Sequence, residues 1–188
     1  LTGLEHAAEK GLDLSTIHSV ASFFVSRVDA EIDAQLSAMG SPDSLAMRGK
    51  AALANARVAY GAYIELFEES ERFAKLSDKG ANVQRPLWAS TGVKNPDYSP
   101  TVYVDQLVSA SCVNTMPEAT LNATFEAAEI SGDTIRENIE AGKLTIEKII
   151  RLGVDFDKSM QKLEDEGVEK FELAWNELIE TVTEAMSF

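Results

Sequence analysis

The chain is poor in the residues that build metal and disulfide sites. It has one cysteine, Cys112, and two histidines in 188 residues. A single cysteine excludes an intramolecular disulfide and any metal site made of several cysteines, and it suits a reducing compartment. His6 and His18 have neither the spacing nor the partners of a zinc site. The sequence therefore predicts no metal ion.

Basic residues and long apolar runs are scarce as well. There are 17 Lys and Arg against 31 Asp and Glu, which gives a net charge of −14. Nucleic acid is bound through clustered Lys and Arg, so a nucleic-acid partner is excluded. No apolar run reaches the roughly 18 residues of a membrane helix, so we expect no membrane contact and a cytoplasmic location. The GxGxxG, Walker and GxSxG motifs are also absent, which excludes the usual dinucleotide, nucleotide and hydrolase signatures.

Short apolar runs alternate with longer helical stretches along the chain. Strands are predicted over 17–25, 85–90 and 112–116, and the first has the unbroken apolar character of a strand buried on both faces. Phe24 and Trp88 are expected to be buried on neighbouring strands. The predicted helices cover residues 28–39, 45–75, 103–109, 133–152 and 155–186. This alternation favours an α/β fold with a parallel sheet, which is either a small open layer or a piece of a barrel.

Two of the predicted strands end in side chains that suit a phosphate group. Ser22 and Arg27 lie at the end of the first strand, and Ser90 and Lys94 follow the second. Sites of α/β proteins form at this carboxyl edge of the sheet. A guanidinium, an ammonium and hydroxyl donors together match a phosphate monoester.

A purely structural interpretation of the same residues stays open. Arg27 can pair with Asp29 or Glu31 at the start of its helix, and Lys94 can simply close a loop.

Four blocks of the sequence, in order, resemble transaldolase of the type found in actinobacteria and related bacteria. They are SVASFFVSRVD at 19–29, RPLWASTGVKNPD at 85–97, VNTMP at 113–117 and GVEKF at 167–171. The resemblance implies a (β/α)8 TIM barrel, of which residues 1–188 are the C-terminal part of a single domain. This chain then holds about strands six to eight and the C-terminal helices.

The resemblance also implies that the catalytic residues are missing from this chain. Nothing here is similar to the family's first five strands, one of which carries the Schiff-base lysine. Residues 1–12 instead resemble the end of the helix after the fifth strand. We therefore expect the N-terminal half of the barrel as a partner, and we expect the isolated chain to be inactive.

By the same resemblance, the function is that of a transaldolase of the pentose phosphate pathway. The family moves a dihydroxyacetone unit from sedoheptulose 7-phosphate or fructose 6-phosphate to an aldose phosphate, without a metal or organic cofactor. Ser22 and Phe24 match its substrate pocket, and Arg27 and Ser90 match its phosphate site. Lys94 lies where other branches place an arginine, although the loop spacing differs. A fructose 6-phosphate aldolase and a non-catalytic phosphosugar-binding or interaction module remain as alternatives.

Overall fold

A computed structural model describes residues 1–186 and has the predicted α/β architecture. The strands are β1 (Ser19–Phe24), β2 (Gln84–Ala89) and β3 (Val113–Asn114). They form a 3-stranded sheet in the order β1-β2-β3, and both pairs of neighbours are parallel. The prediction of a parallel sheet made of these three strands is therefore confirmed. Residues 187 and 188 of the predicted domain lie outside the described part.

Helices connect the strands and follow them. They are α1 (Thr2–Glu9), α2 (Ser26–Met39), α3 (Pro42–Leu45), α4 (Ala51–Tyr63), α5 (Glu71–Ser77), α6 (Val102–Asp105), α7 (Glu118–Ala127), α8 (Ile139–Arg151) and α9 (Phe156–Ala185). Short 3-10 helices occupy Leu14–Thr16 and Arg136–Asn138. Among residues 1–186, no helix is long and apolar enough to cross a membrane.

Helix α2 forms where the sequence predicts it and ends for a local reason. Gly40 adopts φ +68°, and its N–H donates to the carbonyl of Leu36, so the chain leaves the helix in a left-handed turn. Glycine reaches this conformation without the steric penalty of a side chain. Val28, Ile32 and Leu36 recur at a spacing of four and are buried, as expected for the core face of an amphipathic helix.

The single long helix predicted over 45–75 is wrong. The chain turns at Gly49, where φ is +70°, and α4 begins only at Ala51. Helix α4 continues into a turn of π-helix over Ile64–Glu68. Ser70 then caps a new helix, α5, because its hydroxyl accepts a hydrogen bond from the N–H of Phe73. The apolar spacing of this region is helical, but these local stops divide it.

Trp88 lies at the centre of the core, on the middle strand of the sheet. Its side chain is 0% exposed, as predicted. Phe23 is its register partner on β1 and meets it edge to face, with 5.9 Å between ring centroids. The predicted burial of Phe24 is wrong, since this residue is 38% exposed. Successive side chains of a strand point to opposite faces, so only one of the two phenylalanines reaches Trp88.

Strand β1 as a whole is also more exposed than predicted. Of its residues, only Phe23 is even partly buried, and Val20 is 40% exposed. The reason lies in the position of the strand: β1 is at the edge of the sheet, and within residues 1–186 it pairs with β2 alone. A strand with neighbours on both sides and layers on both faces would be buried.

Helix α9 begins as predicted and then leaves the core. The carboxylate of Asp155 caps it by accepting the N–H of Lys158, and Phe156 is buried in the first turn. The later apolar positions are exposed, with Phe171 at 65% and Trp175 at 62%. The predicted apolar face of this helix exists, but no part of residues 1–186 covers its second half.

Candidate functional site

A cavity of about 650 Å³ opens at the carboxyl end of β1. Ser22, Phe24 and Arg27 line it from the strand end and the first turn of α2. The opposite wall comes from α9, which contributes Met160, Leu163, Glu164, Gly167, Val168, Phe171 and Glu172. Three of the five predicted site residues therefore share one cavity.

The guanidinium of Arg27 has no ion pair with any of residues 1–186. The two carboxylates nearest to Arg27 in sequence, Asp29 and Glu31, have other partners. Asp29 accepts hydrogen bonds from the Tyr103 hydroxyl and the Ala52 N–H. Glu31 pairs with Lys162 at 2.7 Å. Arg27 therefore forms neither of the two ion pairs, with Asp29 or with Glu31, that a purely structural role would require.

Arg27 is held instead by an aromatic ring and by a small residue. Its Cζ lies 4.7 Å from the ring centroid of Phe24, a distance at which a cation and a π face attract each other. Gly167 of α9 is also close, since a Cβ added there would lie 3.9 Å from Nη1 of Arg27. Nearby, a hydrogen bond from Lys170 lowers the pKa of Glu166, and the charge of Arg27 adds a weaker effect in the same direction.

Ser90 is brought to the same edge of the sheet by contacts that extend the strand pairing. Beyond the ends of β1 and β2, the N–H of Val25 donates to the carbonyl of Ala89, and that of Ser26 donates to the carbonyl of Ser90. The hydroxyl of Ser90 lies 2.9 Å from that of Ser26, which directly precedes Arg27. Ser90 is thus linked to the Arg27 segment through Ser26.

Lys94 lies in a different cavity. This second cavity has a volume of about 300 Å³, and Lys94 lines it together with Ser26, Arg48, Asp33 and Tyr98, among others. The structure therefore separates Lys94 from the cavity that Arg27 lines. Of the two candidate cations, Arg27 alone shares a cavity with Ser22 and Phe24.

The second cavity also borders a carboxylate, Asp29, whose burial the sequence analysis did not predict. Asp29 is 3% exposed, and its Oδ2 accepts the hydroxyl of Tyr103. Burial raises the pKa of Asp29 to about 6, although the hydrogen bonds from Tyr103 and Ala52 act in the opposite direction. The sequence contains one indication of this burial. Asp29 and Asp33 are four residues apart, so they lie on one side of α2, next to its apolar stripe.

The part of the chain described here contains no cluster of three His, Cys, Asp or Glu side chains able to hold a metal ion. What it places at the carboxyl edge of a parallel sheet is an unpaired guanidinium, nearby hydroxyls and a cavity. In α/β proteins, small anionic substrates bind at this edge. The fold and these residues thus define an α/β protein with a cavity and an arginine without an ion pair at the carboxyl edge of its parallel sheet.

Comparisons with known proteins define the family. The model of the transaldolase/fructose-6-phosphate aldolase family matches residues 2–182. A transaldolase of Mycolicibacterium smegmatis is 59% identical over 180 residues, which cover 96% of this chain and 48% of that protein. Transaldolase 2 of Streptomyces coelicolor is 57% identical over 185 residues, covering 98% of this chain and 49% of the relative. Transaldolase 1 of Streptomyces avermitilis is 53% identical over 186 residues, which cover 99% of this chain and 49% of that protein.

The chain belongs to the transaldolase/fructose-6-phosphate aldolase family, and the predicted similarity to actinobacterial transaldolases is confirmed. It spans about half the length of the curated relatives that it matches.

Proposed function

We propose that this chain is the phosphate-binding, C-terminal half of a transaldolase. In this proposal, residues 1–188 are part of one barrel domain, and β1, β2 and β3 are its sixth, seventh and eighth strands. The observation that carries the proposal is Arg27, which lines the strand-end cavity and whose guanidinium has no ion pair within residues 1–186. The relatives named transaldolase support it independently.

The substrate is a ketose phosphate such as sedoheptulose 7-phosphate or fructose 6-phosphate. Arg27 binds the phosphate with charge-assisted hydrogen bonds, and Ser90 adds a hydroxyl donor. Ser22 and Phe24 contact the sugar from the end of β1. A phosphate held at one end of the sugar supplies remote binding energy that positions the reacting carbon. Lys94 has a weaker claim to the same phosphate, because it lines the second cavity.

The reacting amine comes from a residue outside this chain. None of β1, β2 and β3 contains a lysine, and the lysines of the chain lie on helices and loops. A Schiff-base lysine needs a pocket that lowers its pKa so that the neutral amine can attack the ketose carbonyl. After that attack, water is lost to form the Schiff base. The carbon–carbon bond then breaks, and an aldose phosphate leaves. The bound three-carbon enamine adds to the aldehyde of a second aldose phosphate, and water hydrolyses the Schiff base to release the new ketose phosphate. No metal or organic cofactor is needed for these steps.

The partner is the N-terminal half of the same barrel. Its last strand pairs with the open edge of β1, and its apolar layer covers the exposed residues of that strand, such as Val20. An open edge and uncovered apolar groups favour association. Neither nucleic acid nor a membrane is part of this proposal, and the proposed location is the cytoplasm.

A fructose 6-phosphate aldolase is the second candidate, because the description of the matching family names both activities. The two enzymes differ in the fate of the three-carbon unit. A transaldolase keeps it bound until an aldose phosphate accepts it, whereas the aldolase releases free dihydroxyacetone.

A chimera tests these alternatives. The N-terminal half of the Mycolicibacterium smegmatis transaldolase is joined to this chain, which replaces the region matched at 59% identity. We expect the chimera to transfer dihydroxyacetone from fructose 6-phosphate to an aldose phosphate, with the parent transaldolase as the positive control.

Two other outcomes would contradict the proposal. Release of free dihydroxyacetone without an acceptor would indicate the aldolase. A chimera that unfolds cooperatively but has no activity toward either reaction would indicate a non-catalytic module.

A further inference from the structure

Ser26 is a buried residue that the proposed function does not use. It is 1% exposed, and its Oγ lies 2.9 Å from Oγ of Ser90. Its backbone N–H donates to the carbonyl of Ser90 at 3.0 Å. Ser26 therefore contacts Ser90 at two points, across the ends of β1 and β2.

Ser90 has a backbone conformation that needs such contacts. Its φ is +55°, in the left-handed region that residues other than glycine seldom occupy. A residue stays in this region only when the surrounding structure determines its conformation, and residues of this kind cluster at functional sites. The two contacts from Ser26 supply this constraint at the point where the chain leaves β2.

We propose that Ser26 is a positioning residue for the phosphate group, an inference that rests on the proposed function. Either hydroxyl can donate in this pair. In the proposed arrangement, Ser26 donates to Oγ of Ser90, which leaves the proton of Ser90 free to be donated to a phosphate oxygen. A hydroxyl that accepts one hydrogen bond becomes a stronger donor in the next.

The order of the residues along the chain supports this role. Ser26 begins α2 and lines the second cavity, and the next residue, Arg27, lines the strand-end cavity. The contact between Ser26 and Ser90 therefore ties the backbone that carries Arg27 to the end of β2 that carries Ser90.

The test uses Ser26→Ala in the chimera, because this change removes the hydroxyl and keeps the backbone N–H. We expect KM for fructose 6-phosphate to rise about three- to tenfold, the effect of one neutral hydrogen bond. The kcat for that donor and the kcat/KM for unphosphorylated fructose should stay unchanged. A purely structural role would lower activity toward both donors alike. Ser26→Cys keeps a weak donor of similar size and should give an intermediate KM.

A double-mutant cycle shows whether Ser26 acts on substrate binding through Ser90 or independently of it. In a Ser90→Ala background, Ser26→Ala should cause no further rise in KM, because the hydroxyl that it positions is gone. Ser44→Ala is the matched control: Ser44 is 0% exposed, donates to the carbonyl of Ser41 and lines neither of the two cavities. It should lower stability without changing the preference between donors.

Equal effects of Ser26→Ala on the two donors, or a full additional effect in the Ser90→Ala background, would overturn the inference. Arg27→Ala distinguishes this failure from that of the proposed function. If Arg27→Ala reduces activity selectively for fructose 6-phosphate and Ser26→Ala does not, only the role of Ser26 is wrong. If neither variant is selective, the phosphate site itself is wrong.

Discussion

The guanidinium of Arg27 lies over the ring of Phe24, with 4.7 Å between its Cζ and the ring centroid. The ring attracts the cation but does not neutralise it, unlike a carboxylate. The position of Arg27 is thereby restricted while its charge and its N–H donors stay available for a ligand. The exposure of Phe24, which contradicts the sequence prediction, is what allows this contact.

Removal of the Arg27 side chain should affect phosphorylated donors only. In the chimera, we expect Arg27→Ala to lower kcat/KM for fructose 6-phosphate by about ten- to a hundredfold, because a charged hydrogen bond contributes about 1.5–3 kcal/mol. The kcat/KM for fructose should change little. Ser90→Ala should act in the same direction but more weakly. Steady-state kinetics with both donors measures these effects.

Arg151→Ala is a suitable control for that experiment. Arg151 is exposed and forms an i,i+4 pair with Glu147 on α8, so its loss should leave both activities intact. An equal loss of activity toward fructose and fructose 6-phosphate in Arg27→Ala would reject the phosphate role.

The chain by itself should form no Schiff base. Borohydride treatment with dihydroxyacetone traps such an adduct on a lysine, and we expect no mass increase on the isolated chain because its strands carry no lysine. The Mycolicibacterium smegmatis transaldolase, treated in parallel, should gain one adduct. A stoichiometric adduct on any lysine of this chain would show that the reacting amine is not supplied from elsewhere.

Asp29 should make stability depend on pH. Its pKa is raised to about 6 in the folded state, against about 3.9 in an unfolded chain. Between these values the folded state binds more protons than the unfolded state, so stability falls as pH rises from 4 to 6 and then levels off. The size of this contribution is about 3 kcal/mol. In the chimera, Asp29→Asn should remove this fall in stability between pH 4 and 6. The free energy of unfolding, measured by urea denaturation at several pH values, checks it.

Asp43→Asn provides the comparison, because Asp43 is an exposed carboxylate at the start of α3. The Asp43→Asn variant should keep the fall in the free energy of unfolding between pH 4 and 6. If Asp29→Asn has the same pH profile as the unmodified chimera, burial of the Asp29 carboxylate does not govern its ionisation.

Trp88 should tolerate phenylalanine far better than alanine. Its side chain is fully buried, and its Nε1 has no hydrogen-bond partner within residues 1–186. Trp88→Ala should lower the free energy of unfolding by about 3–5 kcal/mol, as truncation of a buried aromatic residue does. In Trp88→Phe, the loss of buried area is partly offset because an unpartnered donor is removed. Denaturant titration of the two variants checks the order, and equal losses would contradict it.

Several features of this protein follow from the sequence alone because they depend on local chemistry. Gly40 ends α2 through its own backbone freedom, and Asp155 caps α9 with its own carboxylate. The alternation of strands and helices gives the parallel sheet, since a helical connection returns the chain in the same direction. The four motif blocks also identify the family and single out Arg27, because they fix residue types at fixed positions.

Tertiary structure decides the relationships between residues that are distant in the chain. Tyr103 reaches Asp29 across 74 positions, and no local spacing encodes that contact. Whether Phe23 or Phe24 meets Trp88 depends on the register between β1 and β2, since a shift by one residue moves every side chain to the other face. Lys94 follows β2 in sequence yet lines a different cavity from Arg27, because the path of a loop depends on what it packs against.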